Sequence, residues 1–202
     1  VQYLDELGFL HDNVVAAHCL WLENQDIKTL AERNVSVVYN PLSNLKLNAG
    51  SDFRYDDLRK AGVTVTLGTD GVASNNSFDM TEEIKMASLL QKNRQDDPTV
   101  LPAREAFELA TRRASDVFSL NTGVLEEGRD ADLMLIDRSH PALSLLDVHD
   151  PDSHLSYTLP AAAIDTVLCD GTVLMQEGEL ADPEADTIRA RHRERTRNLC
   201  YA

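Results

Sequence analysis

Apolar runs and amphipathic stretches alternate along the first 70 residues of the chain. Asn13-Val14-Val15-Ala16-Ala17 is a short, mostly apolar run after the polar pair His11-Asp12. Val35-Ser36-Val37-Val38-Tyr39 is rich in β-branched residues and is stopped by Pro41, and Val63-Thr64-Val65-Thr66-Leu67 ends at Gly68. Such runs, bounded by turn-forming residues, predict strands. Between them, residues 23–33 bring Ile27, Leu30 and Ala31 to helix-face spacing, and residues 53–61 read as a further helix with Gly62 placed to terminate it. Three short strands separated by helices predict a parallel sheet, because parallel neighbours need a crossover.

Two more helices are predicted over residues 79–92 and 103–115. The first carries Met80, Ile84, Ala87, Leu90 and Gln91 around one side, with Glu82 and Glu83 in the opening turn, where the helix dipole favours acids. After about residue 120 the text becomes antiparallel. Gly123-Val124-Leu125, a turn and residues 132–137 predict one hairpin, and residues 164–169 and 172–176 flank Asp170-Gly171 as a second. Residues 147–159 read as loop. From about Pro183 the chain is helical, with Arg189, Arg191, Arg193, Arg195 and Arg197 surrounding the helix instead of striping it. That spacing predicts a solvated terminal helix and not a binding patch.

Composition narrows the function class. The chain has 202 residues, with 34 acidic against 19 basic side chains and a net charge of −15. A nucleic-acid footprint built on basic surface is thereby excluded, and docking to anionic lipid is disfavoured. Hydrophobic residues make up 43%, enough for a globular core. Of the acids 21 are Asp, and of the cations only 5 are Lys. That bias resembles chains adapted to high salt, and equally an acidic enzyme from an arginine-biased genome. Cys19, Cys169 and Cys200 form no CxxC pair, so reduced thiols and a cytoplasmic setting are expected. No apolar run approaches the roughly 20 residues of a membrane span.

Each of the three early strands is followed by a polar residue able to do chemistry: His18, Asn40 and Asp70. In parallel α/β folds ligands gather at the carboxyl ends of strands. Asp70 stands between small residues in Gly68-Thr69-Asp70-Gly71, and glycines let backbone and ligand approach closely. A carboxylate there suits a divalent metal and proton transfer, although an Asp so placed also caps turns. His18 alone reads more often as a structural histidine than as a catalytic one.

Three segments together are more telling. Val15-Ala16-Ala17-His18-Cys19, then Asn40-Pro41-Leu42-Ser43-Asn44-Leu45-Lys46-Leu47, then Gly68-Thr69-Asp70-Gly71-Val72-Ala73-Ser74-Asn75-Asn76 resemble, in that order and spacing, the amidohydrolase superfamily. Within it the chain is similar to the branch of 5′-methylthioadenosine/S-adenosylhomocysteine deaminases and related chlorohydrolase-like enzymes. Met86-Ala87-Ser88-Leu89-Leu90-Gln91-Lys92 and Gly123-Val124-Leu125-Glu126-Glu127-Gly128-Arg129-Asp130-Ala131-Asp132-Leu133 add to the resemblance.

The resemblance implies an α/β fold: the C-terminal half of a metal-dependent (β/α)8 TIM barrel over residues 1–120, strands of a small β-sandwich domain over 121–180, and a C-terminal helix over 181–202. It implies zinc, or another divalent metal such as iron(II), one per active site. It also implies hydrolytic deamination of an adenine nucleoside. Asp70 would be metal ligand and general base, His18 a catalytic hydrogen-bonding partner of the attacking oxygen, and Ser74 a substrate contact. Guanine deamination, triazine dechlorination and a truncated non-catalytic chain are the alternatives. The family's His-x-His pair is absent, since the histidines are His11, His18, His140, His149, His154 and His192. The N-terminal half of the same enzyme is therefore an expected partner, beside a small-molecule substrate and a homo-oligomeric assembly. Tyr39 stands where many relatives carry His, which touches only local substrate contacts.

Overall fold

Residues 1–50, 52–146 and 150–200 are described by the structure, a computed structural model. They divide into two units, Val1–Arg129 with Ser139–Ala161, and Asp130–Arg138 with Ala162–Ala202.

The first unit is built on three strands, β1 (Val15–Ala17), β2 (Ser36–Tyr39) and β3 (Val65–Leu67), in the order β1-β2-β3 and all parallel. Ala16 lies opposite Val37, and Tyr39 opposite Leu67. Helix α1 (Gln2–Glu6) precedes β1, and α2 (Asn24–Glu32) makes the first crossover, burying Ile27 and Leu30. Its start is closed by a capping box: the Glu23 side chain takes an amide of the first turn while Asp26 reaches back to the Glu23 amide. The second crossover holds two helices, α3 (Pro41–Lys46) and α4 (Tyr55–Lys60). Pro41 both stops β2 and opens α3, because its fixed φ and missing N–H suit a first helical position. Gly62 follows α4 at φ +86, the left-handed stop its place in the sequence predicts.

The core is a single cluster in which Leu30, Val37, Tyr39, Phe53, Leu58 and Leu109 are almost entirely covered. Tyr39 and Phe53 stack with ring centroids 3.9 Å apart and planes 5° from parallel. Short α5 (Val72–Asn75) follows β3, then α6 (Met80–Gln95), capped by the Asp79 side chain on the Thr81 amide. The expected helix over 103–115 is two helices, α7 (Ala103–Leu109) and α8 (Arg112–Phe118). They break at Thr111, whose φ and ψ are −125° and −97°, while Thr66 of β3 donates its hydroxyl to the Leu109 carbonyl at the end of α7.

Two expectations are corrected. Gly123-Val124-Leu125 forms no strand: Gly123 sits at φ +87, so close to α8 that a Cβ would lie 2.5 Å from Ser115 Oγ. The partner of β4 (Leu133–Ile136) is instead β5. Part of the expected loop is helix α9 (Pro151–Tyr157), which follows the Asp-Pro start signal; the Asp150 carboxylate caps the Asp152 amide. Ser156 donates to the Ala103 carbonyl, and the Tyr157 and Ser88 hydroxyls meet at 2.8 Å. Asp147, Val148 and His149 lie outside the described residues.

The second unit is an antiparallel sheet of β4, β5 (Ile164–Cys169), β6 (Thr172–Gln176) and β7 (Glu179–Leu180), in that order. Asp170 and Gly171 both take positive φ, 48° and 72°, as the two-residue turn of the β5–β6 hairpin requires. Helix α10 (Ala185–Cys200) carries the arginines and buries none of its residues. Among the described residues no helix is long and apolar enough to cross a membrane.

Candidate active site at the carboxyl ends of β1 to β3

Parallel pairing brings the carboxyl ends of β1, β2 and β3 to one edge of the sheet, so the residues that follow each strand converge. His18 leaves β1 at φ +66 and Asp70 follows β3 at φ +61. Nine other described non-glycine residues share this left-handed backbone, so it is the contacts of His18 and Asp70 that set the two apart. His18 Nε2 and Asp70 Oδ2 are 3.9 Å apart, with both side chains partly exposed. That gap is too long for a hydrogen bond, yet one oxygen atom can lie about 2.8 Å from both.

The β2–α3 segment supplies partners to each. Ser43 donates to Asp70 Oδ2 at 2.6 Å, and His18 Nδ1 meets Asn44 Oδ1 at 2.8 Å. Asn44 holds Nδ1, and Nε2 is the nitrogen turned toward Asp70. The Gly71 amide donates to Asp70 Oδ1 at 2.7 Å. These donors hold the Asp70 carboxyl down at about 2, the Ser43 hydroxyl contributing most, then the Gly71 amide and the Ser74 hydroxyl. Ser74 is placed one turn on, with its hydroxyl donating to the Gly71 carbonyl at 2.8 Å. The structure thus brings His18, Asp70 and Ser74 to one edge.

Reading the sequence did not single out Ser43 and Asn44, nor Glu83. Glu83 is fully buried and accepts from the Leu42 amide at 3.2 Å and from Asn75 Nδ2 at 2.5 Å. The signal was there: Glu83 shares the helical face of Ala87 and Gln91, so it points inward where its place in the first turn suggested only a dipole role. Tyr39 is correspondingly reassigned. It is 1% exposed beneath Phe53 and belongs to the core, not to a substrate surface. Burial pushes the Cys19 thiol up to about 11, so the cysteine beside His18 is no nucleophile at neutral pH.

The two glycines near Asp70 differ. A Cβ on Gly68 would stand 2.9 Å from Val38 Cγ1 and 3.0 Å from Asn40 Nδ2, which itself donates to the Gly68 carbonyl at 2.8 Å. Gly71 has φ −77 and open space around its Cα. Gly68→Ala is expected to cost about 1–3 kcal/mol by overpacking. Gly71→Ala is expected to leave stability nearly unchanged, and urea unfolding of both variants checks the contrast.

For a divalent metal the donor set is partial. An ionised carboxylate and an imidazole are suitable ligand types, but among the described residues no three His, Cys, Asp or Glu side chains gather closely enough to hold an ion. A catalytic zinc keeps three or more protein ligands, so the described residues supply at most part of such a ligand set. Asn40 Oδ1 and Asn44 Nδ2, buried without hydrogen-bond partners among the described residues, mark the same edge.

Comparison with known proteins identifies relatives of this chain. The model of the Amidohydrolase family matches residues 1–174. The 5'-deoxyadenosine deaminase of Methanothermobacter thermautotrophicus is 45% identical over 180 residues, covering 89% of this chain and 42% of that protein. The 5-methylthioadenosine/S-adenosylhomocysteine deaminase 1 of Archaeoglobus fulgidus is 42% identical over 186 residues, covering 92% and 44%. Among solved structures, an adenosine deaminase from Xanthomonas campestris with bound zinc superposes with a TM-score of 0.92 at 32% identity, over all of this chain and 46% of that one. Atrazine chlorohydrolase from Arthrobacter aurescens, complexed with zinc, gives 0.84 at 27% identity, over 96% and 43%. The chain thus spans less than half the length of these relatives. With most of its residues matched by one family model and its strand-end residues meeting at one edge, the chain belongs to the amidohydrolase family.

Proposed function

We propose that the complete protein is a zinc-dependent hydrolase that deaminates an adenine nucleoside, such as 5′-methylthioadenosine, S-adenosylhomocysteine or 5′-deoxyadenosine. The observation that carries this reading is the cluster of Asp70, Ser43 and His18, in a chain 42–45% identical to deaminases of such nucleosides. Residues 1–120 then form the C-terminal half of a (β/α)8 barrel, 121–180 contribute strands of a β-sandwich domain, and 181–202 are the terminal helix. The all-parallel order of β1 to β3 fits the barrel reading, in which an eight-stranded barrel takes five further strands from elsewhere. The N-terminal half completes the site, and the assembled enzyme is a cytoplasmic homo-oligomer.

When bound, zinc supplies a Lewis acid that lowers the pKa of the hydrolytic water. Asp70 would hold the metal through its carboxylate and, as general base, would take a proton from the attacking water and pass it toward the departing ammonia. His18 stays oriented by Asn44 and hydrogen-bonds the attacking oxygen from the opposite side of the 3.9 Å gap. Ser43 and the Gly71 amide keep Asp70 ionised and aimed, and Ser74 contacts the substrate. The general acid resides in the other half.

Triazine dechlorination is the second reading, favoured by the superposition on atrazine chlorohydrolase. Ammonia release from the three nucleosides and from guanine, and chloride release from a chlorotriazine, separate the readings in the complete protein. Nucleoside turnover lost to a chelator and restored by zinc is expected. Chloride release alone, or no turnover of any substrate by zinc-loaded protein, overturns the proposal.

A further inference from the structure

We infer that Glu83 is a positioning residue that holds Asp70 and its two flanking hydroxyls in register. The inference rests on the reading above only in taking Asp70 as the metal-binding carboxylate. Beside His18 after β1, two separate segments form the candidate site, residues 40–46 after β2 and residues 68–76 after β3. Glu83, on α6, reaches both. One oxygen accepts from the amide of Leu42, the residue before Ser43, and the other from Nδ2 of Asn75, the residue after Ser74. Asn75 Nδ2 also donates to the Thr69 carbonyl at 2.7 Å, next to Asp70 on its other side. Thus each hydroxyl beside Asp70 has, as its chain neighbour, a donor clasped by the same carboxylate.

Burying a carboxylate in full is costly, and no Lys or Arg side chain forms an ion pair with it among the described residues. Burial accordingly pushes the carboxyl up, against the pull of the two donors. A leucine would satisfy packing on this face of α6 without that penalty. What a leucine lacks is two acceptors at a fixed spacing, and these decide where Ser43 stands relative to Asp70.

The test compares Glu83→Gln and Asn75→Ala with wild type in the complete enzyme. The glutamine keeps shape and volume but turns a donor toward one of the two clasped N–H groups. In crystal structures of the metal-free variants, the Ser43–Asp70 hydrogen bond is expected to open. Zinc affinity and kcat are expected to fall tenfold or more in Glu83→Gln and less in Asn75→Ala, with KM within about threefold and the metal-free melting temperature within a few degrees of wild type. A variant that keeps the hydrogen bond, the zinc affinity and kcat overturns the inference, whatever its melting temperature. If Glu83→Gln does not fold, Asn75→Ala decides by the same readouts. Failure of the deaminase reading is told apart by the wild type: absence of nucleoside turnover sinks that reading, whereas the Ser43–Asp70 separation is read regardless of substrate.

Discussion

On the proposed reading, Asp70→Asn in the complete protein is expected to lower kcat at least on the order of a hundredfold, comparable to removal of a general base, while the fold is retained. The asparagine oxygen still accepts from the Gly71 amide, so the turn after β3 survives. The amide that replaces Oδ2 faces the Ser43 hydroxyl as a donor where an acceptor stood. It also binds a divalent metal less well and takes no proton at neutral pH. Zinc content measured beside kcat separates the two losses: a zinc-loaded but inactive variant has lost the base, and a zinc-free one has lost the ligand. Activity within a few-fold of wild type would reduce Asp70 to a turn residue.

Phe53→Ala destabilises the protein by about 3–5 kcal/mol, in the range for emptying a buried aromatic site. Phe53 is 0% exposed and forms one face of the stack with Tyr39. Truncation removes the dispersion contacts of both rings and leaves a cavity that the flanking strands cannot close. The damage reaches the site because Tyr39 ends β2 and is followed by Asn40, whose amide holds the Gly68 carbonyl. Chemical denaturation of the complete protein measures the loss. Phe53→Leu, which refills part of the volume, is expected to recover much of it, and a drop below about 1 kcal/mol for the alanine variant would show that the stack carries little of the core.

Local pattern carried the backbone of this molecule a long way. The runs at Val15–Ala17, Ser36–Tyr39 and Val65–Leu67 are strands in the parallel order their crossovers require. The Asp170-Gly171 signal makes its hairpin, and Gly62 stops its helix, because positive φ restricts which residues fit. Failures arose where a distant partner outweighed local preference. Residues 103–115 have one continuous helical pattern, yet the helix breaks at Thr111, where Thr66 from β3 takes the carbonyl of Leu109. Strand β4 has an apolar stretch just before it in sequence, but pairs with β5 across the intervening residues 137–163. Asp150 and Pro151 open α9 inside a segment whose polar composition reads as loop.

The sequence by itself determined the order of the three parallel strands, the acidic composition and the family likeness, and it singled out His18, Asp70 and Ser74 as candidates, since each is written in neighbouring positions. Only the tertiary structure decided their partners. That Ser43 holds Asp70, that Asn44 holds the His18 ring, that Tyr39 lies in the core and that Glu83 ties two segments together all depend on residues 8 to 41 positions apart. Periodicity reports which face of an element is buried; hydrogen-bond partners across a sheet edge are fixed only when packing brings the segments into register.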